Sequence, residues 1–297
     1  MLTTKHHVEL NRGVIGKLRP EDIAAGHPCF DERAHYYVPR LHLPVAPRCN
    51  IQCNFCARSV GKKGVPSRPG VSAEVLRPEE AQRRADSFLG EDERGVVGIA
   101  GPGDPLANPE ALETLRLIRK QHPDAVLCLC TNGLELVAWL PQLQAVELNA
   151  ITVTVNAVDP IVGAKIYAWV KGHGGLLRGE EAARWLTNRQ LEGLRRAAEA
   201  GIAVKVNTVL VPGINDQHLP EVAQAVKEAG AILMNIMPLI PCYRFASHRA
   251  PSFSELREVR RQCAQIIPQF ALCKQCRADV VGTPGKCDLR WEEWAGQ

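Results

Sequence analysis

The chain has 297 residues, 45% of them apolar, and a formal net charge of +4. That is enough for one α/β domain with a sizeable core, and too mild a charge for a nucleic-acid footprint, which needs a clustered basic patch. No stretch approaches the roughly 18 uninterrupted apolar residues of a membrane span, and residues 1–19 are polar, without a secretory core; the expected compartment is the cytoplasm, where eleven cysteines point to metal or redox chemistry rather than disulfides.

Short apolar runs alternate with longer amphipathic segments. Strands are expected over residues 41–47, 96–100, 125–130, 150–155, 202–211 and 231–236. Helices are expected over 77–89, 110–121, 134–144 with a break at Pro141, 180–200, 218–229 and 254–267. Gly201 and Gly230 stand where two of these helices should stop. Six strands mostly separated by helices argue for parallel βαβ units. Periodicity alone leaves a partial barrel and a doubly wound sheet both open.

The most specific motif is Cys49-Asn50-Ile51-Gln52-Cys53-Asn54-Phe55-Cys56, on a loop just after the first predicted strand. Three thiolates at this spacing can hold three corners of a [4Fe–4S] cubane and leave one iron open. An open iron can chelate the amino and carboxylate groups of S-adenosylmethionine (SAM), and one electron then cleaves its C–S bond to a 5′-deoxyadenosyl radical. The alternative, a structural zinc loop, usually wants four ligands. An aromatic residue before the third cysteine is what the radical SAM superfamily shows. Gly101-Pro102-Gly103-Asp104-Pro105 follows the second predicted strand, where glycines let backbone approach a ligand closely. It resembles the segment that binds the SAM amino group in that superfamily. Thr131, Asn132, Asn156 and Asn207 fall at or near the ends of later strands, where α/β barrels gather function; Asn156 and Asn207 are expected to contact the SAM ribose or carboxylate. Cys29, Cys128 and the pair Cys273-Lys274-Gln275-Cys276 lie outside the loop and read as further iron–sulfur ligands, whereas Cys263 reads as a core thiol.

Several stretches together resemble the NifB family of nitrogenase cofactor maturases. They include Gly26-His27-Pro28-Cys29, Arg40-Leu41-His42, Ser67-Arg68-Pro69-Gly70-Val71, Gly101-Pro102-Gly103-Asp104-Pro105-Leu106-Ala107-Asn108, Thr131-Asn132-Gly133, Met237-Pro238-Leu239-Ile240 and Cys276-Arg277-Ala278-Asp279. The resemblance implies a partial (βα)6 TIM-like radical SAM barrel over residues 36–267. Residues 1–35 would form an N-terminal extension carrying cluster ligands, and residues 268–297 a tail that folds back over the barrel mouth. The chain looks like the family's short form, without a C-terminal carrier domain. The implied activity is fusion of two [4Fe–4S] clusters with a SAM-derived carbide into an eight-iron precursor. One SAM would methylate a cluster sulfide, and a second would supply the radical that abstracts hydrogen from that methyl. Implied partners are SAM, iron–sulfur donor and acceptor scaffold proteins and a reductant protein, with no nucleic acid and no membrane.

By position, Cys29 and Cys128 match ligands of one accessory cluster, and Cys273 and Cys276 those of the other, with His27 and His42 as nitrogen ligands. Cys130 stands where the family has a small residue and is not carried over. The loop Ala57-Arg58-Ser59-Val60-Gly61-Lys62-Lys63-Gly64-Val65-Pro66 lacks a cysteine and a glutamate that the family commonly has there, which predicts a weakly held Cys29–Cys128 cluster. Two other functions compete: a radical SAM enzyme with auxiliary clusters acting on another substrate, and an iron–sulfur scaffold or carrier.

Overall fold

The computed structural model describes residues 19–61, 68–91, 95–273, 275–286 and 289–295. The loop residues Lys62, Lys63, Gly64, Val65 and Pro66, together with Ser67, lie outside them. The main sheet is built from β1 (Arg40–His42), β2 (Val96–Ile99), β3 (Val126–Thr131), β4 (Ala150–Thr154), β5 (Ala203–Leu210) and β6 (Leu233–Pro238). These six strands are parallel and adjacent in chain order. β7 (Val281–Gly282) adds antiparallel to the free edge of β1. No ladder joins β1 to β6, so the curled sheet is a partial barrel with an open side, and the doubly wound alternative is set aside.

The strand sequences explain the form. All four residues of β2 and all eight of β5 are buried, as expected where a parallel strand is covered on both faces. β3 alternates instead: Leu127 and Leu129 join the apolar core beneath the helices, while Cys128 and Cys130 line the barrel interior. The predicted break at Pro141 does not occur, since the helix Leu136–Ala145 runs through it. Pro141 sits in the helix interior, and its missing N–H costs the one bond that would reach the Val137 carbonyl.

Three further elements place the site. α1 (Pro20–Gly26) sits against the N-terminal ends of the strands, with Ile23 and Phe30 packed on Ala150 and Ala203. A small antiparallel sheet pairs Ile51–Cys53 with Tyr167–Gly172 and that with Gly175–Leu177. It braces the cysteine loop and was not predicted. Its lead-in helix Pro160–Ile166 is capped by the Asp159 carboxylate, which accepts from the Ile161 and Val162 amides. Finally, the tail bonds to Met234 on β6 through Pro268 and Phe270 and then reaches β1 through β7. It therefore closes the open side of the barrel, and its Gln275 and Cys276 reach the cavity at the mouth.

Candidate active site: two cysteine-lined cavities

At the C-terminal mouth lies a cavity of about 980 Å³, lined by Cys49, Cys53, Cys56, Gly103, Asn132 and Asn156 among others. The cysteine loop is held by its own polar groups. The Gln52 side-chain amide donates to the carbonyls of Cys53 and Cys56 at 2.9 and 2.7 Å, and Arg58 donates to the Gln52 oxygen. The loop's approach is laced to the glycine motif: Gly103 N–H donates to Ala46 at 2.6 Å and Asp104 N–H to Arg48 at 2.8 Å. Asn108, fully buried, accepts from the Arg48 amide and donates back to its carbonyl. A Cβ on Gly103 would stand 2.1 Å from the Arg48 carbonyl oxygen, so this contact admits only glycine.

Asp104 lines the mouth cavity, and its carboxylate is hydrogen-bonded to the protein. Its carboxylate accepts from Thr131 Oγ1 at 2.9 Å, Asn132 N–H at 2.5 Å and Leu106 N–H at 2.9 Å. Burial still raises it from 3.8 to about 6, against those bonds. Asn132, so fixed, donates from Nδ2 to Asn50 Oδ1 at 2.7 Å and to Cys49 Sγ at 3.8 Å. Gln190, which sequence reasoning missed, locks the same turn by donating to the Asn132 and Thr154 carbonyls. Asn156 is also committed within the protein: Oδ1 accepts from Val209 N–H and Nδ2 donates to Tyr167 Oη. Asn207 differs, because its Oδ1 is buried with no partner among the described residues.

Burial pushes the Cys49 thiol up to about 12, with the Asp104 charge adding to the effect, and raises Cys53 and Cys56 as well. Among the described residues, no three His, Cys, Asp or Glu side chains gather tightly enough for a single metal ion. Three sulfurs spread over one cavity wall, one of them receiving an amide N–H, are a donor set that fits a cubane with an open corner.

Behind this cavity, inside the barrel, lies a second one of about 490 Å³. It is lined by Cys29, Cys128, Cys130, Cys273 and Cys276, by His27 and His42, and by the buried cations Arg40 and Lys205. Among the described residues, no carboxylate lines it. The fold gathers all five of these cysteines around one chamber. The neighbouring Cys273 holds Cys29 well below the usual thiol range, while Cys273 is raised by Cys29 beside it and Cys276 by Cys130 beside it, burial adding to both. Cys128 lies against Gly98, where an added Cβ would stand 2.6 Å from its sulfur. Lys205, unnoticed in the sequence, donates to the Cys29 carbonyl at 2.8 Å between the Phe30 and Phe270 rings.

The two histidines are set differently. His42 Nδ1 is 2.6 Å from the Arg277 carbonyl and must donate to it, which leaves the Nε2 lone pair available. Burial lowers His42 to about 4, so it stays neutral. His27 Nδ1 instead accepts from the Cys29 amide at 3.0 Å. Its neutral proton then sits on Nε2, which is buried without a partner and suits an N–H donor better than an iron ligand.

Residues 43–226 match the radical SAM superfamily. The chain is 47% identical to the FeMo cofactor biosynthesis protein NifB of Methanocaldococcus infernus, over 86% of this chain and 85% of that protein. It is 42% identical to the Azotobacter vinelandii protein of the same name, over 90% of this chain but 55% of that longer one. In structure it resembles a radical SAM methyltransferase from Sphaerobacter thermophilus, with TM-score 0.54 and 17% identity over 79% of this chain and 64% of that one. It resembles methylornithine synthase with the same TM-score, 0.54, at 14% identity over 84% and 68%; both likenesses speak to the fold. No helix among the described residues is long and apolar enough to cross a membrane. The chain therefore belongs to the radical SAM superfamily, as an enzyme using a [4Fe–4S] cluster and SAM, and within it to the NifB family.

Proposed function

We propose that this enzyme is a maturase of the nitrogenase FeMo cofactor, joining two [4Fe–4S] substrate clusters around a carbide drawn from SAM. The observation that carries the reading is the wall between the two cavities, since Ala100, Cys130, Asn207, Met237, Gln275 and Cys276 line both. A substrate held on the inner thiols would thus adjoin SAM bound at the mouth. When bound, the cluster on Cys49, Cys53 and Cys56 supplies the electron that cleaves SAM.

The protein's own part is positioning. Gly101 and Gly103 bring backbone close to the place for the SAM amino group, and Asp104 with Thr131 fixes the turn on which Asn132 approaches Cys49. Asn207 offers its unpartnered oxygen to the mouth. In the inner chamber Cys29, Cys128, Cys273 and Cys276 offer sulfur and His42 offers nitrogen, while His27 donates its Nε2 proton. Lys205 and Arg40 set positive charge against an anionic cluster in a space that no carboxylate among the described residues lines. Scaffold proteins would deliver and accept the iron–sulfur cargo, and a reductant protein would supply electrons.

The test is anaerobic reconstitution, with iron and sulfide counted and SAM products identified. Maturase chemistry predicts more iron than about four per chain, one cubane's worth, and S-adenosylhomocysteine together with 5′-deoxyadenosine. 5′-Deoxyadenosine alone would favour a different radical substrate, and bound iron with no SAM turnover would favour a scaffold or carrier.

A further inference from the structure

Five thiols reach the inner chamber, and the family resemblance accounts for four. The fifth is Cys130. It follows Cys128 by two residues on β3, so both point to one face of the sheet. In register it stands beside Thr152, which stands beside Lys205, and all three line the inner chamber. Cys130 also lines the front cavity. Cys276, from the tail, lines the same two cavities.

The bland alternative is a packing cysteine, and the chain contains one for comparison. Cys263 is fully buried on the helix Phe253–Cys263 among apolar core side chains. Cys130 is only partly buried, faces two cavities and shares both with a second thiol, Cys276. Nothing in apolar packing calls for that arrangement.

We propose that Cys130 is an iron-ligating thiolate of the inner chamber, which it shares with Cys128 and Cys276 as the set nearest the radical site. The proposal rests on the reading that the chamber holds an iron–sulfur cluster. Three sulfurs from β3 and the tail then serve one cubane, with its open corner left to His42 or to the reaction. Cys29 and Cys273, which line the inner chamber but not the front cavity, form the second donor set. A thiolate at position 130 also puts the first set against the wall shared with the SAM cavity, the side on which carbon must arrive.

The experiment uses the full chain, reconstituted anaerobically, as parent and as Cys130→Ala, Cys130→Ser and Cys263→Ala. Iron is counted, reduced-cluster EPR spectra are taken with and without SAM, and alkylation of Cys130 is followed by mass spectrometry in iron-loaded and iron-stripped parent. Both Cys130 variants should lose about four irons per chain and keep the SAM-responsive signal of the front cluster, while Cys263→Ala keeps all its iron. Cys130 in the parent should resist alkylation when loaded and react when stripped. Unchanged iron and spectra in both Cys130 variants would overturn the assignment, as would equal alkylation rates, a measurement that needs no variant. So would an equal iron loss in Cys263→Ala, which would trace the effect to a weakened fold. A parent holding only the front cluster's iron would overturn the chamber reading itself, and is told apart by the parent count alone.

Discussion

The loop that faces the front cavity supplies three thiols from eight consecutive residues, Cys49 to Cys56, braced by one small sheet. The inner chamber takes five from three distant segments, the stretch after α1, strand β3 and the tail, and shares two of them, Cys130 and Cys276, with the front cavity. The front cavity has a buried acid, Asp104, among its walls; the inner one has two buried cations and, among the described residues, no acid. A local motif brings its ligands together before the barrel is complete. A chamber made of distant segments has no ligand set until α1 is docked and the tail has closed the open side. The first site should therefore be all-or-none in its cysteines, and the second sensitive to anything that loosens its walls.

The largest effect tests the first half of that contrast. Cys53→Ala should abolish reductive formation of 5′-deoxyadenosine, because a two-thiolate cubane is labile, while circular dichroism stays that of the parent. Product at parental rate would break the reading of the loop as the radical site.

The second half is tested at Lys205. Its ammonium is buried, bonded to the Cys29 carbonyl and faced by two aromatic rings. Lys205→Met keeps the stem and removes both charge and donor, leaving a buried carbonyl unpaired at a cost of about 1–3 kcal/mol. Iron should then be lost from the inner chamber to a chelator about tenfold faster, as about 1.4 kcal/mol implies, with front-cluster iron unchanged. Equal loss from both sites would mean that the two cavities are not electrostatically separate.

Two glycines sharpen the comparison at smaller scale. A Cβ on Gly103 would meet the Arg48 carbonyl, which is backbone and cannot turn aside; a Cβ on Gly98 would meet the Cys128 sulfur, which can. Gly103→Ala should cost about 1–3 kcal/mol of stability and disable SAM cleavage. Gly98→Ala should cost less and lower only the inner iron. Thermal denaturation and iron counts on the two variants separate these outcomes.

The same contrast decides what could be read from sequence. The loop, the glycine motif and the alternation of strands and helices carry local signals, and five of the six barrel strands fall within two residues of where apolar runs predicted them, while the first spans only Arg40–His42 against an expected 41–47. The hairpin at 167–177 was missed because the stretch after Asp159-Pro160 has little alternation and its turn glycines read as loop. Asp104, Thr131 and Asn156 were expected to meet SAM; the structure shows their side chains bonded to protein, which a strand-end position cannot reveal. The partners of Cys29, Cys273, Cys276 and Cys130 depend on how the tail closes the barrel. A spacing of Cys-x-x-Cys suggests that its two thiols act together; in the fold Cys273 lines only the inner chamber, while Cys276 lines both cavities.

The smallest effect concerns the acid in the front cavity. Burial raises Asp104 from 3.8 to about 6, so in the folded chain it holds its proton to a higher pH than in the unfolded chain. A raised acid contributes most below its unfolded value, and that contribution is lost as pH rises through the folded one. Relative to Asp104→Asn, the iron-free parent should therefore be most stable near pH 4 and lose up to about 3 kcal/mol of that advantage by pH 7, because each pH unit separating the folded and unfolded values is worth about 1.4 kcal/mol. Asparagine adds a penalty that does not vary with pH, because its NH2 or its single oxygen must face the Asn132 N–H or the Thr131 and Leu106 donors. Denaturant titrations of both proteins at several pH values between 4 and 7 give the difference directly. An advantage that grows with pH would show that the three donors outweigh burial. The front cavity would then stabilise a carboxylate as firmly as the inner chamber accommodates its cations, and the electrostatic contrast between the two sites would fail.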